Sequence, residues 1–288
     1  MIAQVDVIGV PMDLGADRRG VDMGPSAVRY ARLQEALGRL GIATRDHGNL
    51  AVPVPEATHE DDPAAKYLPT IEAVCGRLAE LVEEIVEQGG FPLVLGGDHS
   101  IAIGTLAGLT RARGRPPGVI WVDAHADANA PRNSPSGNVH GMPVHYALAA
   151  QTIAPERLVY IGLRDLDAGE RETIHRLGIR AFTMSDVDRL GIAAGADLAL
   201  AIAAGGAGSL HVSFDMDAID PSDAPGVGTP VRGGLTYREA HLLLEAVAAS
   251  GALGSLEITE INPILDRQNQ TAIFAVELIQ SALGKIVL

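Results

Sequence analysis

The sequence predicts an α/β fold of three layers, with a central parallel sheet of about eight strands between two layers of helices. Three observations carry this expectation. Short runs rich in Val, Ile and Leu alternate with longer segments of helical apolar spacing along the whole chain. The short runs are mainly apolar and without clean alternation, as strands buried on both faces are. Polar clusters follow four of these runs directly, around His99, Asp123, Asp215 and Glu260. In open parallel sheets ligands bind just outside the carboxyl ends of the strands.

Taken in order, Val5 to Val10 is the first strand, followed by a Gly-, Asp- and Arg-rich loop from Pro11 to Gly24. Pro25 opens a helix with Val28, Leu33 and Leu37 on one face and Gly41 beyond its end. Ile42 to Asp46 reads as a second strand. Leu50 to Ala65, with Pro53, Pro55, Pro63 and the acidic run Glu60-Asp61-Asp62, reads as a surface loop. Tyr67 to Gln88 has helical spacing, and Gly89-Gly90 ends it. The strand Phe91 to Leu95 leads into Gly96-Gly97-Asp98-His99-Ser100 and a helix from Ile101 to about Arg113. Gly118 to Val122 is a buried strand that runs straight into Asp123, His125 and Asp127. A long loop from Ala128 to Gly141 and a helix to about Ala150 come next. Then follow a strand from Arg157 to Gly162, a helix from Gly169 to Leu177 and a short strand from Ile179 to Phe182. Ser185 to Ala204 is helical, with interruptions expected at Gly191 and Gly195. The strand Leu210 to Phe214 ends in Asp215-Met216-Asp217, before a Pro/Gly-rich loop from Ala218 to Gly234. Thr236 and Glu239 form a capping box for the next helix. Leu253 to Thr259 is the last strand, Glu260-Ile261-Asn262-Pro263 follows it, and a final helix runs from about Gln268 to Leu283. No repeat, low-complexity segment or composition shift divides the chain, so one domain over residues 1–288 is expected.

Composition narrows the function. Hydrophobic residues are 47% of the 288 and charged residues 20%, which suits a folded soluble protein. Aromatics are only 3%, which disfavours base-stacking platforms, and a net charge of −14 disfavours nucleic acid and anionic membranes as partners. The same charge is compatible with a cationic substrate or bound cations. The lone Cys75 excludes an intramolecular disulfide and does not support a thiolate metal site; it reads as a small core residue. The first residues read as a strand and carry no signal-peptide pattern, and no apolar run reaches the roughly 18–20 residues that span a bilayer. A cytoplasmic location is expected.

The chemistry lies in the clusters. In extended backbone, side chains at i, i+2 and i+4 point the same way, so Asp123, His125 and Asp127 are expected to converge where the strand ends. Asp215 and Asp217 repeat that spacing, and His99 follows a third strand. Buried together, such groups are costly without a cation. Two imidazoles and four carboxylates balance two divalent cations, which can share a water lowered in pKa toward neutrality. Carboxylate-rich, thiolate-free ligation favours Mn²⁺ over Zn²⁺. No zincin, zinc-ribbon, Walker A or dinucleotide fingerprint occurs. By themselves, Glu260 and His140 read as an ordinary strand-end carboxylate and loop histidine, Asn129, Ser136 and Asn138 as loop residues, and Asp165 and Asp167 as helix caps. His47, His59, His145, His175, His211 and His241 have no assigned role.

In combination these residues carry a resemblance. Gly96-Gly97-Asp98-His99-Ser100, the stretch from Trp121 to Asn129, and the stretch from Ser213 to Pro221 resemble the three metal signatures of the ureohydrolase family. Ser136-Gly137-Asn138-Val139-His140-Gly141-Met142-Pro143 resembles the loop in its arginase form rather than its agmatinase form, and the stretches at 8–15, 228–239 and 260–263 are arginase-like too. The resemblance runs from about residue 7 to the end. It implies two Mn²⁺ per subunit, one held by His99, Asp123, Asp127 and Asp215, the other by His125, Asp123, Asp215 and Asp217. It implies that a hydroxide bridging them attacks the guanidinium carbon of L-arginine, yielding L-ornithine and urea. Catalytic roles fall to Glu260, which orients the guanidinium, to His140, which shuttles a proton, and to Asp127. Asn129, Ser136 and Asn138 are implied to meet the α-carboxylate, Asp167 and Glu170 the α-amino group, and Thr229 the region of the guanidinium. A homo-oligomer, a trimer or a hexamer of paired trimers, is also implied. The competing readings are another ureohydrolase, such as an agmatinase or guanidinobutyrase, and a non-catalytic metal-stabilised oligomer.

Overall fold

Eight strands hydrogen-bond into one all-parallel sheet in the order β2-β1-β3-β8-β7-β4-β5-β6 in a computed structural model that describes residues 2–205 and 209–286. They are β1 (Gln4–Val10), β2 (Ala43–Asn49), β3 (Pro92–Gly96), β4 (Gly118–Val122), β5 (Leu158–Leu163), β6 (Arg180–Thr183), β7 (Leu210–Asp215) and β8 (Leu253–Thr259). Every residue of β3, β4, β5 and β7 is buried; β3, β4 and β5 lack polar alternation accordingly, whereas β7 alternates Leu210, Val212 and Phe214 with the buried polar residues His211, Ser213 and Asp215. The mostly exposed β2 lies at one edge. The expected three-layer fold and strand number are observed.

Two helical layers cover the sheet. On one face pack α1 (Gly24–Tyr30), α2 (Leu33–Gly38), α7 (Met184–Leu190), α8 (Ile192–Ala203), α9 (Tyr237–Ser250) and α10 (Gln270–Ala282). On the other lie α3 (Leu68–Glu87), α4 (Ala102–Arg113), α5 (Pro143–Ala149) and α6 (Ala168–Leu177). Strand β4 shows how one run serves both faces. Ile120 and Val122 join the first core, whereas Val119 and Trp121 join the second. Cys75 is buried in the core under α3, and burial pushes its thiol up to about 12.

Two expectations about helices are corrected. The single helix from Pro25 is two, because Arg32 takes a left-handed φ of 64° between α1 and α2. The apolar periodicity persists across the break, which hides it in sequence. The interruption at Gly191 is real, but Gly195 lies inside α8 as a buried residue, where lacking a side chain does not end a helix already held by packing.

The strand order decides where the chemistry sits. β3, β8, β7 and β4 are consecutive at the centre, and their carboxyl ends deliver His99, Glu260, Asp215 and Asp123 to one place. Loops after β1 and β5 close in from the sides with Gly15 and Asp167.

Candidate metal centre and substrate cleft

The convergence of Asp123, His125 and Asp127 is real, but the extended backbone proposed for it is not. Strand β4 stops at Val122, and Asp127 has a φ of 52°. Asp123 instead folds the chain over itself by accepting the His125 N–H at 2.7 Å. Asp215 does the same for the Asp217 N–H at 2.7 Å, starting a short 3₁₀ turn. The two turns thus aim the carboxylates by local hydrogen bonds rather than by strand alternation.

His99 lies at the bottom of the cluster, fully buried. Its Nδ1 makes no well-formed hydrogen bond, yet it is 3.3, 3.0 and 3.2 Å from carboxylate oxygens of Asp123, Asp127 and Asp215. His125 Nδ1 is 3.0 Å from Asp217 and 3.5 Å from Asp123. Two ligand groups result, His99 with Asp123 and Asp215, and Asp123 with His125 and Asp217, each with its donor atoms within 4.8 Å of one another. Asp123 belongs to both. Its carboxylate is held in turn by the Trp121 indole N–H at 2.9 Å, and Trp121 stacks on His99 with ring centroids 4.3 Å apart.

Electrostatics fit cations at this spot. Burial and mutual repulsion push the Asp215 carboxyl well up, Asp217 up and Asp127 to about 7. Asp123, although buried, is held down because it faces both imidazoles, and the same carboxylates drive His99 and His125 upward despite burial. Four carboxylates, three of them around the orphaned Nδ1 of His99, call for more positive charge than two rings supply. The donor set therefore suits two divalent cations.

Above the cluster opens a cleft of about 210 Å³. Its lining includes His125, Asp127, Asn129, Ser136, Asn138, His140, Asp167, Glu170, Asp215, Asp217 and Thr229, all singled out from sequence. The other three, His99, Asp123 and Glu260, lie deeper. Glu260 is 1% exposed, with a left-handed φ of 63°. Its Oε1 accepts the His99 N–H at 2.9 Å and lies 3.0 Å from His140 Nδ1. Burial opposes a charge on His140, but Glu260 outweighs it and raises the imidazole to about 9. Thr229 Oγ1 donates to Asp217 at 3.0 Å, so this loop residue braces a ligand as well as lining the cleft.

At the rim, Asp167 caps α6, as one reading of the sequence had it, and the Glu170 carboxylate accepts the Asp167 and Ala128 N–H groups at 2.9 and 3.1 Å. Asn129 donates from Nδ2 to Asp167 at 2.8 Å, which leaves its buried Oδ1 without a partner. Capping and cleft-lining are thus compatible for this acidic pair. Opposite, Lys66 holds the Ser136–Asn138 loop. Its N–H reaches the Gly137 carbonyl at 2.9 Å and its ammonium the Asn138 Oδ1 at 3.1 Å. Lys66 follows the acidic loop that reads as mere surface, and its role carries no local motif. Arg164 likewise carries no local motif. It reaches the carbonyls of Asp217, Ala218 and Val231 at 2.6, 3.1 and 2.8 Å, tying the loop after β7 to the end of β5.

The sequence model of the Arginase family matches residues 3–284. The chain belongs to the arginase family. A Brevibacillus brevis arginase is 47% identical over 99% of this chain and 99% of that protein. Among solved structures, Bacillus caldovelox arginase is similar with a TM-score of 0.94 and 47% identity, each chain wholly covered. A hypothetical agmatinase from Burkholderia thailandensis shares the fold at a TM-score of 0.78 and 28% identity, over 98% of this chain and 85% of that one. The three-layer parallel architecture is thus that of an arginase-family protein, and its nearer likeness of these two structures is to the arginase.

Proposed function

We propose that this arginase-family chain hydrolyses L-arginine to L-ornithine and urea at a centre of two Mn²⁺ ions. The observation that carries it is the pair of ligand groups sharing Asp123 at the base of a cleft with a carboxylate beside a histidine and an acidic rim. The near-full-length likeness to arginases supports the same reading. His99, Asp123, Asp127 and Asp215 would hold one ion and His125, Asp123, Asp215 and Asp217 the other. Bound there, the ions would supply a water of lowered pKa, a nucleophile near neutral pH.

The protein's own groups supply the rest. Glu260, buried and ionised, accepts hydrogen bonds from the substrate guanidinium and orients its carbon toward the cluster. His140 carries a proton at neutral pH because Glu260 raises it, and so holds the proton the leaving amine needs. Water oxygen adds to the guanidinium carbon, the bond from that carbon to the ornithine nitrogen breaks, and the proton goes to that nitrogen. Asp167 and Glu170 suit the α-ammonium, whereas Ser136 and Asn138, backed by Lys66, suit the α-carboxylate. Agmatine lacks that carboxylate and guanidinobutyrate lacks the α-ammonium, which favours L-arginine over both. We also propose a homo-oligomer, trimer or hexamer, in the cytoplasm; no helix among the described residues is long and apolar enough to cross a membrane.

The test is urea release from L-arginine, agmatine and guanidinobutyrate by Mn²⁺-loaded protein. L-Arginine is expected to be turned over far faster than the others. Equal or better turnover of agmatine overturns the substrate assignment, and undiminished activity after thorough chelation overturns the metal assignment.

A further inference from the structure

Glu257 lies on β8, fully shielded from solvent and outside the cleft. A buried carboxylate needs donors, and β7 and α4 provide them. Ser213 Oγ on β7 donates to Oε1 at 2.6 Å, and Thr105 Oγ1 on α4 donates to Oε2 at 2.7 Å. His211 Nε2 is 3.5 Å from Oε1. Ser213 Oγ is also 2.7 Å from Nε2 of His99.

Hydrogen counting fixes the direction of this chain of contacts. An ionised carboxylate only accepts, so the single hydroxyl hydrogen of Ser213 goes to Glu257. The Ser213 oxygen can then meet His99 only as an acceptor, and His99 must carry a hydrogen on Nε2. Its other nitrogen, Nδ1, is the atom facing Asp123, Asp127 and Asp215. A neutral His99 held in this way presents a lone pair at Nδ1, as a metal ligand must.

We propose that Glu257 is a positioning residue of the cation centre, acting through Ser213 to fix which nitrogen of His99 faces the ions. Trp121 sets the plane of the ring by stacking, and Glu257 sets its tautomer. Without the carboxylate, Ser213 is free to turn its hydrogen onto Nε2, which favours a hydrogen on Nδ1, where the cation belongs. The inference rests on the two-cation reading given above. It concerns one ion more than the other, because His99 belongs to one ligand group and His125 to the second.

The test uses metal-free full-length protein titrated with Mn²⁺, free ion being followed by electron paramagnetic resonance. Wild type, Glu257→Leu, Ser213→Ala and the double variant are compared, with thermal unfolding of each metal-free protein as the folding control; Leu, unlike Gln, offers Ser213 no acceptor. Wild type is expected to bind two ions. Each single variant is expected to bind one of the two about 10- to 100-fold more weakly, the scale typical of partners behind a metal ligand, and to hold the other nearly as wild type does. The double variant is expected to be little worse than Ser213→Ala, because both changes cut one path. Wild-type affinity for both ions in Glu257→Leu overturns the proposal, as does a double variant in which the losses multiply. If Glu257→Leu does not fold, Ser213→Ala decides alone, and unaltered affinity in it overturns the proposal. A wild-type protein that binds fewer than two ions overturns the two-cation reading itself.

Discussion

Replacing Glu260 by Gln isolates guanidinium recognition from metal binding. The side chain is 1% exposed, and its Oε1 is occupied by the His99 N–H and the His140 imidazole. Space remains at Oε2, where an added Cβ at Gly228 would lie 3.8 Å away. A Gln can keep its oxygen on the His99 N–H, but it then points an amide donor where the substrate also brings donors. A hydrogen bond to a charged group is worth about 1.5–3 kcal/mol, and losing one side of a buried charge pair costs about 2–5 kcal/mol. A net loss of about 3–5 kcal/mol follows, or roughly 10²- to 10⁴-fold in kcat/KM at about 1.36 kcal/mol per decade. The assay is steady-state urea release from L-arginine, with metal content measured on the same sample. Two ions should remain, since Glu260 is in neither ligand group. A kcat/KM within tenfold of wild type refutes the assigned role, and loss of metal together with activity refutes the separation of Glu260 from the cations.

Three other outcomes are expected. His125→Asn removes a ligand from the group it forms with Asp123 and Asp217, so about one ion per chain should survive gel filtration; two retained ions contradict the ligand assignment. Gly137→Ala puts a Cβ 1.9 Å from the Pro63 carbonyl oxygen at a φ of 71°, so it should cost about 1–3 kcal/mol in denaturant unfolding and raise KM for L-arginine more than it lowers kcat; unchanged KM refutes a role for this loop in substrate binding. Asp220 is lowered to about 2 because, against slight burial, the N–H groups of Ser222, Gly233 and Gly234 and the Ser222 hydroxyl outweigh it. Its folded pKa lies below the unfolded 3.8, so its stabilisation is full above about pH 4 and fades as pH falls toward 2. Asp220→Asn should therefore cost about 1–2 kcal/mol near neutrality, with the gap to wild type closing below pH 4; a gap independent of pH contradicts this.

How much of this was legible in sequence depends on range. His99, Asp123, Asp215 and Glu260 were readable because each lies at or just beyond the carboxyl end of a short, mainly apolar run, and parallel topology brings such ends together. The reason offered for Asp123, His125 and Asp127 was wrong in detail: spacing does not reveal that Asp127 turns left-handed or that Asp123 caps its own loop. The break at Arg32 escaped because apolar periodicity crosses it, and Gly195 misled because glycine signals a break only where packing does not override it. The Glu257–Ser213–Thr105 network was invisible, since its members come from three separate elements and each reads singly as an ordinary residue in a core run. Lys66 escaped for the same reason, as it lies 72 residues from Asn138.

The most direct test of a two-cation hydrolytic centre is a stepwise Mn²⁺ titration of metal-free protein, with urea release from L-arginine measured at each step. Activity is expected to be negligible without metal and to reach its plateau at two bound ions per chain, as the two ligand groups sharing Asp123 require. Full activity without metal, or a plateau reached while the second ion remains unbound, contradicts it.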